Sequence, residues 1–172
     1  MTNALVSMVT MFWNLCLLRT GPEHMPTVPA FLVTVLVLDI ALNVAALLPM
    51  GSMSGPAVGQ IVSTVATFGV VTYALLSVKG LQSRFTATFI AIVGSDAIIT
   101  LVQIPLLPIV LVLGKAVFFV ALLAFFLWTL MVFGFILQRA LEVRREIGLA
   151  LALFMILVVV AVGVQVNPQA AA

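Results

Sequence analysis

The chain has 172 residues, of which 65% are hydrophobic and 7% charged, and its mean hydropathy is +1.38. Soluble domains carry about 25% charged residues, because a globule of this size must cover itself with polar side chains, so the composition excludes a water-soluble fold. Seven Lys and Arg against five Asp and Glu leave a net charge of +2 with no basic patch, which excludes nucleic acid as a partner; Cys16 and His24 are the only residues of their types, so no internal disulfide, thiolate metal centre or His-rich metal site can form and no cofactor is expected.

The first segment places Asn3, Ser7, Thr10 and Asn14 at helical spacing opposite Leu5, Met8, Val9, Phe12, Leu15 and Cys16, with Trp13 near its end. This predicts an amphipathic helix over 3–18, too short to cross a bilayer and expected along the interface, with packing against the bundle as the alternative. It lacks a basic start and a small-residue cleavage pattern, so it is expected to be retained. Pro22, Pro26 and Pro29 then end the helix and turn the chain, with His24 read as an interfacial side chain of that turn.

Five apolar stretches follow, at about 30–48, 57–78, 85–104, 116–137 and 147–164. At ~1.5 Å per residue each reaches across most or all of a hydrocarbon core of ~30 Å. The run from Phe85 to Gln138 would be ~80 Å long as one helix, so it must fold back near Pro105, Pro108, Gly114 and Lys115. Leu106–Leu113 is too apolar for an open loop and is expected at the interface or as a kinked continuation of the third span. The uncharged connector from Pro49 to Pro56 is short enough to require an antiparallel return. These elements predict an all-α polytopic helix bundle, a single integral membrane domain over 1–172.

The distribution of cations tests this threading. Arg19, Lys79, Arg84, Arg139, Arg144 and Arg145 fall on one side of a five-span arrangement and Lys115 alone on the other. By the positive-inside rule the N-terminus is expected in the cytoplasm and the C-terminus outside. A four-span or six-span arrangement would scramble the partition.

Two carboxyls lie where none is cheap. Asp39 and Asp96 fall midway along the first and third spans, where an ionised group costs about 2.5–3.5 kcal/mol on insertion scales, and no Lys or Arg lies at the same depth. They are expected to be protonated or shielded by hydrogen bonds, with Asn43 one turn from Asp39 and with Ser95, Thr100 and Gln103 on or near the Asp96 face. Asp39, Asn43, Asp96 and Gln103 thus form a candidate intramembrane polar site, either a cleft for a proton, small solute or lipid head group or a set of interhelical hydrogen bonds. Trp128, in the middle of its span, should place its indole N–H on a buried acceptor, with Asp96 one candidate. Gly59, Ser63 and Thr67 read as a close-packing stripe, and the phenylalanines of the fourth span as packing or lipid contact. Arg139, Arg144 and Arg145 belong to the densest charge cluster, solvated by default and a candidate docking surface for anionic lipid or a protein partner.

Three further features carry a family resemblance: the proline-bounded segment before the first span; Lys79-Gly80-Leu81-Gln82-Ser83-Arg84-Phe85-Thr86-Ala87-Thr88-Phe89 entering the third; and Leu127-Trp128-Thr129-Leu130 followed by the basic loop and an Ala/Leu-rich last span. In these the chain resembles the small bacterial relatives of the Ypt-interacting protein (Yip) family of five-span membrane proteins. The resemblance implies a five-helix bundle in the bacterial inner membrane with a cytoplasmic N-terminus. In eukaryotes the family is associated with Rab GTPases and vesicle traffic; here no long hydrophilic N-terminal region is present, which argues against GTPase binding.

No nucleotide loop, His-Glu zinc motif or Gly-x-Ser-x-Gly elbow occurs, so an enzyme is not expected. The leading expectation is a Yip-like protein that organises protein partners or lipids in the bilayer, as a homo-oligomer or with a membrane-protein partner. The alternative is a small permease or proton-coupled channel subunit using Asp39 and Asp96.

Overall fold

A computed structural model describes residues 2–48 and 55–168. The described residues form six α-helices, α1 (Thr2–Cys16), α2 (Pro29–Leu47), α3 (Gly55–Val78), α4 (Phe85–Leu113), α5 (Lys115–Leu141) and α6 (Arg145–Val166), with short 3-10 turns at Pro22–His24 and Gln82–Arg84. Helices α2 to α6 are each long and apolar enough to cross a membrane. The connector at 49–54 and the end of the neutral tail lie outside the described residues.

The spans match the expected ones except at two ends. Helix α4 runs on to Leu113 with Pro105 and Pro108 inside it, so the apolar stretch after Ile104 continues the third span. Each proline removes one backbone donor, whereas ending the helix there would leave a whole turn of carbonyls without partners in a non-aqueous medium. Reversal is delayed to Gly114, whose φ of 102° is open to glycine and strained for other residues. Helix α5 extends past Arg139 to Leu141 and is closed by Glu142 in the left-handed region, where the Val143 N–H returns to the Gln138 carbonyl at 3.1 Å.

Helix α4 is the centre of the bundle, touching α1, α2, α3 and α5, while α6 packs on α5 and α3. The α5–α6 contact is close because both helices present glycine: a Cβ on Gly148 would stand 2.6 Å from the Gly134 carbonyl. Gly59 of the small-residue stripe faces Val166 of α6, where an added Cβ would stand 3.4 Å from the valine side chain, a packing role. The fourth-span phenylalanines divide, with Phe133 buried edge-on to Phe68 and Phe119 exposed.

Of the two placements expected for the first helix, the packed one is found. Met8, Phe12, Leu15 and Cys16 are buried, whereas Ser7 and Thr10 stay exposed. The Cys16 thiol donates to the Ser95 carbonyl at 3.7 Å. Ser95 lies ten residues into α4, or ~15 Å at 1.5 Å per residue, so the end of α1 is seated well inside the bundle.

The turn at Pro22–His24, the α3–α4 connection and the α5–α6 connection share one end of the molecule, tied by Arg139–Glu23 (3.5 Å) and Arg84–Glu142 (2.6 Å). The far end of α6 lies opposite, where the Asn167 amide donates to Gln60 at 3.2 Å near the start of α3. Three segments whose cations were grouped by sequence therefore converge in space.

Candidate functional site

The site begins with two parallel helices. Asp39 is ten residues into α2 and Asp96 eleven into α4, so both carboxyls lie ~15–17 Å from the charged end. Asp39 is fully buried, while Asp96 is half-buried. Asp39 Oδ2 lies buried without a hydrogen-bond partner. Two buried carboxyls with no cation beside them lower the cost of their burial by retaining a proton or by accepting hydrogen bonds.

Asn43, one turn beyond Asp39, ties the pair together. Its amide donates to the Asp39 carbonyl at 3.0 Å, to Asp39 Oδ1 at 3.2 Å and to Asp96 Oδ2 at 3.5 Å. No ion pair reaches the cluster among the described residues. The Asn43 amide therefore stands where a cation stands in an intramembrane ion pair.

Asp96 opens onto a cavity of about 240 Å³ to which all five spans contribute, with Asn43, Thr64, Asp96, Thr100, Gln103 and Thr129 among its polar walls and Phe68, Phe133 and Ile156 among its apolar ones. One water occupies roughly 30 Å³ in the liquid, so the space accommodates several waters or one small polar solute. Gln103 stands two turns beyond Asp96 on the same face of α4 and also lines a narrower cavity of about 50 Å³ towards Phe118 and Leu122. It makes no direct hydrogen bond to the carboxyl pair among the described residues. The sequence candidates Asp39, Asn43, Asp96 and Gln103 are thus brought to one place.

Two polar contributors escaped the sequence reading. Thr64 sits beside the small-residue stripe of α3 and was absorbed by it; Thr129 follows Trp128 in an otherwise apolar run. A lone hydroxyl in the middle of a phenylalanine-rich span was the available signal. Trp128 does not approach Asp96 as a donor: its indole N–H donates to the Cys16 carbonyl at 3.1 Å. The last carbonyls of α1 have no intrahelical partner, and this one is met inside the bundle.

The basic cluster is split. Arg139 is engaged by Glu23 and lies over the Phe135 ring at 5.4 Å. Arg144 and Arg145 are exposed at the start of α6 and form no ion pair among the described residues. Among those residues no group of His, Cys, Asp and Glu is arranged to hold a metal ion.

Comparison with known proteins returned no matching family model, no matching curated protein and no matching solved structure.

Proposed function

We propose that this integral membrane protein carries a proton-binding site in its bundle and acts as a small proton-coupled permease or channel subunit. One observation supports the reading above the rest: a carboxyl pair bridged by the Asn43 amide, with Asp96 on the wall of a polar cavity formed by all five spans at mid-depth. Intramembrane carboxyls that face a wet cavity are the usual parts of proton relays. In this reading Asp96 exchanges its proton with the cavity, Asp39 holds the second carboxyl position behind it, and Asn43 keeps both in register. Thr64, Thr100, Gln103 and Thr129 orient water or a small polar solute. Five spans offer no even inverted repeat, so the transporting unit is an oligomer. The six-to-one cation partition supports insertion with the N-terminal side in the cytoplasm, and the resemblance to small bacterial Yip-like proteins supports a bacterial inner membrane.

The test is proton flux into liposomes containing the purified protein and an entrapped pH indicator, under an imposed potential, with and without small zwitterionic and cationic solutes. Parent protein is expected to carry flux that Asp96→Asn abolishes and Asp39→Asn reduces at least tenfold, with assembly unchanged. Parental flux no higher than that of empty liposomes would overturn the reading.

The second reading is the Yip-like, non-enzymatic organiser of partners or lipids. It is favoured by one specific feature, the exposed Arg144 and Arg145, which form no ion pair among the described residues, at the end where three connections converge. Each basic residue near an anionic surface contributes about 1 kcal/mol. Loss of copurifying partners in the Arg144→Gln/Arg145→Gln double variant, in a protein without proton flux, is the result that favours it.

A further inference from the structure

At the end of the bundle where the connections meet, a cavity of about 690 Å³ opens between the turn at Pro22–His24, the start of α4 and the end of α5. It is separate from the carboxyl site, which lies deeper and is lined by other residues. Its rim carries Arg84, Arg139, Glu23 and Glu142, two cations and two anions. They pair across it, Arg84 with Glu142 at 2.6 Å and Arg139 with Glu23 at 3.5 Å.

A guanidinium has five N–H donors in a planar fork. Among the described residues Arg84 places its contacts on Glu142 and, at 3.4 Å, on the Ala140 carbonyl; Arg139 places one hydrogen bond on Glu23 and lies over the Phe135 ring. Both forks therefore retain donors for a phosphate. The glutamates, half-exposed, retain acceptor positions for an ammonium. A purely anionic ligand would bring its charge up to two carboxylates with nothing to offer them, whereas a zwitterion satisfies both signs.

Depth identifies the source of such a zwitterion. Ala87 and Thr88, in the first turn of α4, form the inner wall, at the level where a span leaves the hydrocarbon region and phospholipid head groups begin. We propose that this cavity binds a phosphodiester head group bearing a primary ammonium, with phosphate on Arg84 and Arg139, ammonium on Glu23 and Glu142, and acyl chains continuing along the outside of the bundle. The ligand class is phosphoethanolamine, and its source is the bilayer.

The experiment is native mass spectrometry of the full chain released from bilayer discs made of equal parts phosphatidylethanolamine, phosphatidylcholine and phosphatidylglycerol, with soluble phosphoethanolamine added in a parallel arm. Phosphatidylethanolamine is expected to be retained about tenfold over phosphatidylcholine, whose quaternary ammonium has no N–H to donate, and over phosphatidylglycerol, which has no cation. Arg139→Gln and Glu23→Gln are each expected to remove that preference. Ala87→Phe fills the cavity without touching an ion pair and is expected to abolish retention while the melting temperature in detergent stays at the parental value; it decides the matter if a charge variant misfolds. Equal retention of the three lipids, or retention unaffected by Ala87→Phe, overturns the site. Displacement of the lipid by soluble phosphoethanolamine at equal concentration overturns the bilayer as its source.

Discussion

Helices α4 and α5 are similar in length and apolar character, yet they occupy opposite positions. In the most apolar stretch of α4, 67% of residues are buried inside the bundle, against 11% for α5. The buried middle of α4 contains Ala91, Gly94, Ser95 and Ala97, whereas α5 presents Phe119, Leu122, Leu123 and Leu127 outward. Lipid tails are as apolar as leucine, so large apolar side chains gain little by moving inward, and the centre goes to the helix whose small residues let neighbours approach. Helix α5 obeys the same rule where Gly134 admits α6.

The most damaging way to break this contrast is to put bulk on the central helix. A Cβ at Gly94 runs into the Phe12 ring, so Gly94→Leu is expected to cost about 3 kcal/mol, the upper end of core overpacking. Unfolding in mixed detergent micelles measures it, and Phe12→Ala in the same chain should recover part of the loss.

A smaller effect is expected where the Trp128 indole helps to hold the seat of α1. Trp128→Phe removes the donor to the Cys16 carbonyl and is expected to cost about 1 kcal/mol. Buried Cys16 should then react faster with a maleimide, which reports the loosening of α1 directly. Phe119→Ala, 67% exposed on α5, is expected to change stability by less than about 0.5 kcal/mol.

The same physics explains what could be read from the chain before its structure. Spans, breakers and the side on which each connection falls are written in hydropathy, proline and Lys/Arg placement. Asp39 and Asp96 stood out because a carboxyl at mid-span is costly, and Asn43 because it sits one turn away. The depth of α1 was not legible, since an uncharged polar face of Ser7 and Thr10 suits an interface and a bundle surface equally. The sequence left two placements open for the stretch after Ile104, at the interface or as a kinked continuation of the third span, and the second is found, because a proline that stops a helix in water is tolerated in lipid. Thr64 and Thr129 were hidden for a different reason: which face of a uniformly apolar helix turns inward depends on its neighbours, not on its own periodicity.

The proposed proton on the carboxyl pair is the centre of the account, and infrared difference spectroscopy of the reconstituted protein at neutral pH reads it most directly. A protonated carboxyl C=O band is predicted in the parent, displaced when Asn43→Leu removes the bridging amide and absent in the Asp39→Asn/Asp96→Asn double variant. A parent spectrum with no such band, or one identical to that of the double variant, would show both groups ionised and contradict it.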